Sequence, residues 1–325
     1  MSDALASIRQ PVAVAMSDFE VKFKSEMKSE VPLLGTITRY ILKRKGKQLR
    51  PMFVFLSAGI CGNINESSHR AATLIELLHT ATLIHDDVVD DSNERRGFFS
   101  LNALWKNKIA VLVGDFLLSK GLLLAVEHQD FEMLKIVSDA VKVMSEGELL
   151  QIEKARRLDI SEEIYFEIIR RKTASLIASC CAAGAASAGA SSALISKMHL
   201  LGESIGIAFQ IKDDLFDFGP EGVIGKPTGN DIKESKMTLP LIYALSNAEY
   251  YDKRRIIHII KSRTASREKI EEVIEFVKSS GGLDYAKKMM ISFREKACQL
   301  LHEFPESPFR TSLEKLIYFT TDRNK

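Results

Sequence analysis

The sequence predicts an all-α protein, a single large helical bundle that forms one domain over residues 1–325. Apolar residues recur at helical spacing over long windows, as they do from Met133 to Met144 and from Ile164 to Ile169. No window alternates apolar and polar residues between turn signals in the way that a half-buried strand does. The chain has only eight prolines and no Gly/Ser/Pro-rich linker. One helical domain, larger than a four-helix bundle, is therefore expected.

The composition is that of a globular protein, with 46% hydrophobic and 27% charged residues. The formal net charge is only +2, which argues against nucleic acid as a partner, because nucleic-acid binding needs a strong and clustered basic excess. The four cysteines have no metal-ligand spacing, and the N-terminus lacks the apolar segment of a secretory signal. A cytoplasmic protein with reduced thiols is therefore expected.

One uncharged stretch, residues 176–195, is long enough to span a bilayer. Most of its residues are Ala, Ser, Gly and Cys, which are too weakly apolar to drive insertion. Small side chains permit close helix packing instead, so we interpret this stretch as packed inside the protein.

Another segment, from Ala71 to Ile84, is apolar nearly all round, and Glu76 and His79 are its only ionisable residues. Such a helix belongs in the interior of a bundle. An acidic cluster, H-D-D-V-V-D-D at 85–91, follows it directly, and a second one, Q-I-K-D-D-L-F-D at 210–217, ends another mostly apolar stretch. Residues four apart share a helix face, as three aspartate pairs do here: Asp86/Asp90, Asp87/Asp91 and Asp213/Asp217.

These clusters are costly unless cations neutralise them, because like charges repel at this spacing and the helix dipole disfavours anions at a C-terminal end. Oxygen ligands select hard cations, and Mg²⁺ combines one or two carboxylates with water and substrate phosphate oxygens. We therefore predict a diphosphate held by more than one Mg²⁺ ion between two facing clusters. The alternative, two solvated helix ends, is preferable for one cluster alone. The candidate metal ligands are Asp86, Asp87, Asp90, Asp213, Asp214 and Asp217.

Several basic residues are candidate diphosphate ligands, since Arg offers a planar fork for phosphate oxygens and Lys a mobile charge. Each is a weak signal alone, because an isolated basic residue is usually solvated surface. The candidates are Lys47, Arg50, Arg95, Arg96, Lys172, Lys226 and Lys236.

Taken in order, these motifs resemble those of the trans-isoprenyl diphosphate synthases, and in particular the long-chain polyprenyl members. They are G-K-Q-L-R-P at 46–51, E-L-L-H at 76–79, D-D-V-V-D with R-R-G at 86–97, K-T at 172–173, F-Q-I-K-D-D-L-F-D at 209–217, and G-K-P-T-G-N-D-I with K-x-T-L-P at 225–240. Six motifs in one order are a highly specific signal, although the C-terminal part of the chain adds little to it.

The resemblance implies an isoprenoid-synthase bundle with a central cavity, a homodimer, and a Mg²⁺-dependent transferase. The implied reaction condenses isopentenyl diphosphate head to tail onto an allylic diphosphate. The implied pocket for isopentenyl diphosphate contains Lys47, Arg50, His79 and Arg96. The allylic diphosphate is expected to contact Arg95, Lys172, Lys226 and Lys236.

The resemblance also implies catalytic roles for six residues. Thr173 and Gln210 are expected near the cationic carbons of the allylic substrate. Asp86, Asp90 and Asp213 are expected to bind Mg²⁺ during catalysis, and Lys172 to stabilise the leaving group. No side-chain base is evident, so the released diphosphate is expected to accept the proton.

Product length is expected to depend on the helix that precedes the first cluster. Ala81 lies five residues before Asp86, about 7.5 Å back along the axis, and Leu78 about 12 Å back. Short-chain members of the family tend to have an aromatic side chain near the position of Ala81. Here Ala81 and Thr82 are small. By this resemblance they favour a long product of about thirty to fifty carbons, and with it transient contact with a membrane surface.

Three alternatives stay open from the sequence. A short-chain farnesyl or geranylgeranyl diphosphate synthase would share the motifs but close the tunnel earlier. A class I terpene cyclase also ionises a diphosphate with D-D-x-x-D, but it has no second diphosphate substrate to explain Lys47 and Arg50. A non-catalytic helical subunit gives no reason for acidic clusters beside apolar helices.

Overall fold

The structure is a computed structural model. It describes residues 3–43, 46–95, 97–155, 160–219, 229–262 and 266–322, without the side chains of Asp3 and Arg95. In these ranges the helices are α1 (Asp3–Arg9), α2 (Ala13–Glu26), α3 (Pro32–Lys43), α4 (Leu49–Cys61), α5 (Glu66–Val89), α6 (Leu101–Glu127), α7 (Phe131–Ala155), α8 (Glu162–Ile169), α9 (Ser175–Ser187), α10 (Ser192–Phe216), α11 (Asn230–Lys233), α12 (Leu239–Ser246), α13 (Tyr250–Lys261), α14 (Arg267–Ser279), α15 (Gly282–His302) and α16 (Pro308–Asp322). A 3₁₀ turn (Gln10–Val12) joins α1 to α2, and a π-helical turn (Arg170–Ala174) joins α8 to α9.

The prediction of an all-α fold is confirmed. The described residues also contain one pair of two-residue strands, β1 (Glu94–Arg95) and β2 (Phe98–Phe99), which pair antiparallel with Arg95 opposite Phe98. The sequence analysis expected no strand, because two residues are too few for an alternating pattern. The Tyr40 hydroxyl donates a hydrogen bond to the Phe99 carbonyl at 2.7 Å and so ties this hairpin to α3.

The chain forms two compact units. The first consists of Met1–Ser138, Ser179–Met198 and Pro305–Leu313, and the second of Asp139–Ala178, His199–Phe304 and Glu314–Lys325. The single domain over 1–325 stays a prediction.

In the first unit, α5 and α6 enclose an apolar core. Leu77, Ala81 and Ile84 of α5 pack with Val113 and Leu117 of α6 in one buried cluster. Burial on this scale stabilises a fold by about 25 cal/mol for each Å² of apolar surface removed from water. The core therefore fixes the helix that carries the first aspartate cluster.

The second unit has its own core, built from the residues around α8, α10 and α12 to α15. Ile207 and Ile211 of α10 lie in this cluster with Tyr165 of α8. The same packing therefore holds the helix that carries the second aspartate cluster.

Residues 176–195 do not form one long helix, because α9 ends at Ser187 and α10 begins at Ser192. Cys180 and Cys181 are fully buried, and burial raises the pKa of the Cys181 thiol to about 12. A Cβ at Gly184 would collide with the Val54 carbonyl, so α9 and α4 approach at backbone distance. The interpretation of this stretch as packed inside the protein is confirmed for α9, whereas Ser191, Ser192 and Ala193 are exposed.

Within the described ranges, one helix is long and apolar enough to cross a bilayer: α6, of whose most apolar window 39% is buried. The sequence analysis did not single it out. Its backbone is non-helical at Lys106, where φ is 72° and ψ is 157°, so α6 is two helices joined by a kink.

Candidate active site

The first aspartate cluster lies at the C-terminal end of α5. This helix starts from a capping box, in which Asn65 Oδ1 accepts the Ser68 N–H at 3.1 Å and Ser68 Oγ accepts the Asn65 N–H at 3.3 Å. At the other end, the Asp90 N–H donates to the Asp86 carbonyl at 2.8 Å, so these two residues occupy successive turns as predicted. Both are exposed, whereas Asp87 is buried.

Asp87 and Asp91 are not helical neighbours, and that expectation is wrong. The helix ends at Val89, and Asp91 has a left-handed backbone with φ of 49°. Its N–H donates to the Val88 carbonyl at 3.4 Å instead of continuing the α-helical pattern. Aspartate is one of the few non-glycine residues enriched in this region, so the sequence there suits a chain reversal that takes Asp91 out of the helical register.

The second cluster lies at the C-terminal end of α10 and is embedded in hydrogen bonds. The buried Asp214 carboxylate accepts the Tyr165 hydroxyl at 2.7 Å and Gln210 Nε2 at 2.9 Å. Burial raises its pKa from 3.8 to about 7, although the bonds from Tyr165 and Gln210 oppose this shift. A cation near this carboxylate would favour its ionised form.

Asp217 follows the end of α10, and its helical pairing with Asp213 stays a prediction. Its N–H donates to the Asp214 carbonyl at 3.3 Å. Its carboxylate accepts the backbone N–H groups of Asn230 and Asp231 at 2.9 and 3.1 Å. Burial, and then the neighbouring Asp231, raise the pKa of Asp217 to about 6. Its oxygens thus already hold the backbone at the start of α11.

A chain of hydrogen bonds joins the second cluster to the K-T motif. Thr173 Oγ1 donates to Gln210 Oε1 at 2.8 Å, and Gln210 Nε2 donates to Asp214 at 2.9 Å. Gln210 therefore connects two motifs that lie 37 residues apart in sequence. This arrangement agrees with the expectation that Thr173 and Gln210 act at one place.

The K-T motif is held in the π-helical turn, Arg170–Ala174. Such turns are rare, and they occur frequently at functional sites. Lys172 Nζ lies 2.5 Å from Glu148 Oε2 and donates to Gln151 Oε1 at 3.2 Å. Both acceptors belong to α7, one turn apart, so α7 fixes the position of this ammonium group.

Gly147 allows α7 to approach the π-helical turn closely. A Cβ at this position would lie 2.7 Å from Arg171 Cβ and 2.9 Å from the Lys172 nitrogen. Ordinary Cβ contacts are longer than 3.4 Å, and the backbone of a helical turn cannot swing aside as a flexible side chain can. The missing side chain at Gly147 is therefore a condition for the contacts of Lys172 with α7.

Lys236 lies beside the Asp217 segment, with Nζ 3.6 Å from Asp231 Oδ1 and 2.5 Å from Glu234 Oε2. Burial opposes the charged form, but Glu234 and Asp231 outweigh it and raise the pKa of this lysine. Asp231 thus lies beside both Asp217 and Lys236. Acidic and basic side chains are therefore neighbours in this part of the second unit.

In the first unit, the residues predicted to bind the second diphosphate lie on two neighbouring helices. Arg50, in the first turn of α4, has Nη1 3.9 Å from Glu76 Oε2 of α5. His79 is buried one turn after Glu76, as the E-L-L-H spacing predicts. Lys47 is exposed before α4, and Gln48, which caps this helix, has a left-handed φ of 52°.

Three predicted site residues are not placed. Arg95 ends strand β1, four residues after Asp91, and the structure describes only its backbone. Arg96 and Lys226 lie outside the described residues.

The residues expected to limit product length lie on α5. Ala81 and Leu78 are buried, with 2% and 3% of their surface exposed. Thr82 is partly buried, and its hydroxyl donates to the His79 carbonyl at 2.9 Å. The first unit is tightly packed here, because a Cβ at Gly121 of α6 would lie 3.1 Å from Leu74 and 3.6 Å from Leu78.

Among the described residues, no three His, Cys, Asp or Glu side chains are arranged to hold a metal ion by themselves. The aspartates at each helix end nevertheless offer carboxylate oxygens, and Asp86 and Asp90 are exposed one turn apart. This donor set fits a hard divalent cation that takes few protein ligands.

The sequence profile described as polyprenyl synthetase matches residues 31–277. An all-trans-nonaprenyl-diphosphate synthase of Rhodobacter capsulatus, described as geranyl-diphosphate specific, is 37% identical over 323 residues, which are 99% of this chain and 97% of that protein. The chain belongs to the polyprenyl synthetase family.

Two solved structures of this family share the fold along the whole chain. A decaprenyl diphosphate synthase from Rhodobacter capsulatus has a TM-score of 0.93 at 32% identity and covers 99% of both chains. A polyprenyl synthase from Caulobacter crescentus CB15, solved with calcium and isoprenyl diphosphate, has a TM-score of 0.90 at 33% identity and covers 99% of this chain and 98% of that one.

Membership of the polyprenyl synthetase family confirms the resemblance and the predicted enzyme class, a prenyltransferase that makes a polyprenyl diphosphate. The roles of individual residues stay predictions.

Sequence reasoning missed the residues that support this polyprenyl synthetase site from outside the motifs: Gly147, Glu148, Gln151 and Tyr165. One signal was available, because a glycine inside a strongly helical window usually has a packing or functional reason. Tyr165 gave no signal, since its partner Asp214 lies 49 residues away in sequence.

Proposed function

We propose that this protein is a long-chain all-trans polyprenyl diphosphate synthase, which adds isopentenyl diphosphate units head to tail to an allylic diphosphate. One observation carries the proposal: both Asp-Asp-x-x-Asp clusters lie at the C-terminal ends of helices packed into apolar cores, α5 and α10. Anions at such ends are disfavoured by the helix dipole. A cationic ligand therefore explains their position.

The ligand that fits is Mg²⁺, with more than one ion bound together with the allylic diphosphate. Asp86, Asp90 and Asp213 would supply its protein oxygens, with Asp87, Asp214 and Asp217 as further ligands or as supports. When bound, the metal ions act as Lewis acids that stabilise the charge developing on the leaving diphosphate. Tyr165, Gln210 and the start of α11 hold the supporting carboxylates in place.

The lysines of the second unit add fixed positive charge at the diphosphate of the allylic substrate. Lys172 is positioned by Glu148 and Gln151, and Lys236 by Asp231 and Glu234. Positive charge that is already in place need not reorganise as the carbon–oxygen bond breaks. Electrostatic catalysis is most effective under this condition. Arg95 and Lys226 are proposed for the same group.

Thr173 and Gln210 supply oxygen dipoles near the allylic carbons. Their mutual hydrogen bond of 2.8 Å fixes both side chains, so these dipoles are oriented before positive charge appears on the carbons. The double bond of isopentenyl diphosphate then attacks the allylic carbon. The released diphosphate accepts the proton that is lost.

The diphosphate of isopentenyl diphosphate is proposed to bind to Lys47, Arg50, His79 and Arg96. Arg50 lies beside Glu76, which keeps the guanidinium group in place while its other N–H groups face the ligand. A planar fork of this kind can bind two phosphate oxygens at once.

Product length follows from α5, and family membership does not fix it by itself. The position five residues before Asp86 carries Ala81, so α5 itself contributes no aromatic side chain at that depth. Ala81→Phe is expected to shorten the product by several isoprene units. Ala81→Val should give an intermediate length if the added volume is the cause. An unchanged product from a variant with normal melting would contradict this geometry.

A homodimer is proposed on the exposed apolar face of α6. Val111 and Leu122, and likewise Leu112 and Leu123, are eleven residues apart, which is about three helical turns. All four are between 38% and 55% exposed, so apolar side chains recur on the side of α6 that faces away from the core. A second copy would cover it, and Leu112→Glu with Leu123→Glu should convert the dimer into a monomer in light scattering.

We also propose that the enzyme works in the cytoplasm and meets membranes only transiently. Four free cysteines, three of them buried, support the compartment, and the long apolar product supports the membrane contact.

Incubation of the purified protein with Mg²⁺, labelled isopentenyl diphosphate and a series of allylic primers tests the function directly. Mass spectrometry should find labelled all-trans products of about thirty to fifty carbons. Products of fifteen or twenty carbons would favour a short-chain synthase. Cyclic hydrocarbons made without label would favour a terpene cyclase, and no turnover at all would favour a non-catalytic subunit.

A further inference from the structure

A groove in the second unit is lined by none of the residues assigned to the reaction. Its volume is about 670 Å³, and it is lined by α13, by the residue that follows this helix, and by Lys269 of α14. Four of the described lining residues are cationic and none is a carboxylate: Arg254, Arg255, Lys261 and Lys269. Since the whole chain carries a net charge of only +2, this groove is a local concentration of positive charge.

Two of these cations are partly neutralised from outside the groove. Arg255 lies 3.1 Å from Asp252 and 3.5 Å from Glu272, and Lys269 lies 2.8 Å from Glu272. Arg254 and Lys261 form no ion pair within the described parts of the chain, and both are exposed. They leave the groove with positive charge that the protein itself does not balance.

Two aromatic side chains stand beside this charge at the start of α13. Tyr250 and Tyr251 are 67% and 84% exposed, and their rings meet edge to face with centroids 5.6 Å apart. Tyrosine has an apolar ring and a polar hydroxyl group. It is enriched at the headgroup level of membranes, where both parts find suitable surroundings.

The opposite face of α13 is committed to the core. Ile256 and Ile260 are buried and belong to the apolar cluster of the second unit. The helix is thus fixed by its isoleucines, and its basic and aromatic residues are presented on the surface. A helix with basic residues and aromatic rings on its accessible side is typical of surfaces that bind anionic lipids.

We propose that this α13 groove docks on an anionic membrane surface, where lipid phosphate groups occupy it and Tyr250 and Tyr251 enter the headgroup layer. The choice of a membrane rests on the proposed function, since a long polyprenyl chain is insoluble in water and needs a bilayer to receive it. Charge complementarity favours this contact, because each basic residue near an anionic leaflet raises the affinity for the membrane about fivefold.

Vesicle co-sedimentation of the full chain, without substrates, tests the proposal. The wild type is compared on phosphatidylcholine vesicles and on vesicles rich in phosphatidylglycerol. The test variant is Arg254→Glu with Lys261→Glu. The matched control is Lys287→Glu with Lys288→Glu, which makes the same charge change at exposed positions of α15.

The wild type and the control should bind only the anionic vesicles, and this binding should weaken with salt because ionic screening shortens electrostatic reach. The test variant should bind at least about 25-fold more weakly, as expected for the loss of two basic contacts. Tyr251→Ser should weaken binding less, and it should leave the salt dependence unchanged.

Equal loss in the test and control variants would overturn the groove as the contact, as would equal binding to neutral vesicles. Displacement of the protein from vesicles by millimolar inorganic phosphate, at matched ionic strength, would identify a site for free phosphate instead. Prenyl transfer to a soluble short primer in detergent is measured on the same preparations. A failure of vesicle binding with normal turnover refutes only the docking, whereas absent turnover refutes the proposed function.

Discussion

The two aspartate clusters have the same sequence pattern but different surroundings. At the end of α5, Asp86 and Asp90 are exposed on successive turns. At the end of α10, Asp214 is buried against Tyr165 and Gln210, and Asp217 is bound to the backbone of α11. The D-D-x-x-D motif of α5 thus presents carboxylates to solvent. The motif of α10 is built into a hydrogen-bonded network that reaches the K-T motif.

The largest expected effect comes from removing a proposed metal ligand from either cluster. Asp86→Ala and Asp213→Ala should each reduce turnover by about 10³-fold or more, since each removes stabilisation of the leaving diphosphate. Steady-state incorporation of labelled isopentenyl diphosphate measures this loss. Asp284→Ala, an exposed aspartate at the start of α15, is the control. Near-normal activity in a folded Asp86 variant would limit the metal site to the second cluster.

A smaller loss, about 10²-fold, is expected from Gly147→Ala. The new Cβ would press on Arg171 and Lys172 and shift the π-helical turn, so that Lys172 and Thr173 are displaced, and small misplacements of this kind are costly in catalysis. The effect should fall on kcat more than on the KM for isopentenyl diphosphate.

Gly35→Ala is the matched control for this change, because it also adds a methyl group to a helical glycine but meets its nearest neighbour at an ordinary 3.7 Å. If both glycine variants retain full activity, the close approach at Gly147 has no part in positioning the second cluster.

The smallest expected effect concerns stability and separates the two clusters by pH. Burial raises the pKa of Asp214 to about 7, so the folded protein binds more protons than the unfolded chain between about pH 4 and pH 7. Without metal, this residue's contribution to stability should therefore fall as the pH rises through that window and become constant above it. The slope should approach about 1.4 kcal/mol per pH unit.

Urea denaturation of the metal-free wild type and of Asp214→Asn, at several pH values, isolates this slope in the difference between the two proteins. Asp90→Asn, at an exposed position of the first cluster, is the control for the loss of one carboxylate. If the free energy of unfolding of Asp214→Asn differs from that of the wild type by the same amount at every pH, this carboxyl group is ionised in the folded protein throughout the window.

The sequence was sufficient for the parts of the fold that repeat. The helical period predicts α5, α7 and α10, and the buried position of α5 follows from its apolar circumference. Helix ends were less predictable: α5 stops at Val89, and the expected Asp87/Asp91 pair is broken because Asp91 lies beyond this end. A helix end depends on local backbone bonds, such as the left-handed conformation of Asp91, which periodicity does not report.

The site was predictable where its residues form local motifs and unpredictable where they meet through tertiary packing. Asp214 and Gln210 belong to one motif, whereas Tyr165, Glu148 and Gln151 reach it from other helices. The exposed apolar side chains of α6 were not predicted from the sequence for a related reason. Its overall hydrophobicity resembles that of a core helix, and only the fold determines which face stays exposed.

The central claim is that both clusters bind metal around one diphosphate, and isothermal titration tests it most directly. A thiolo analogue of an allylic diphosphate is titrated with Mg²⁺ into the wild type, Asp86→Ala, Asp213→Ala and the double variant. Each single change should remove most of the affinity. The double variant should bind no more weakly than either single variant, because the two carboxylates act on the same ligand. Independent losses that multiply in the double variant, or unchanged binding in either single variant, would contradict the account.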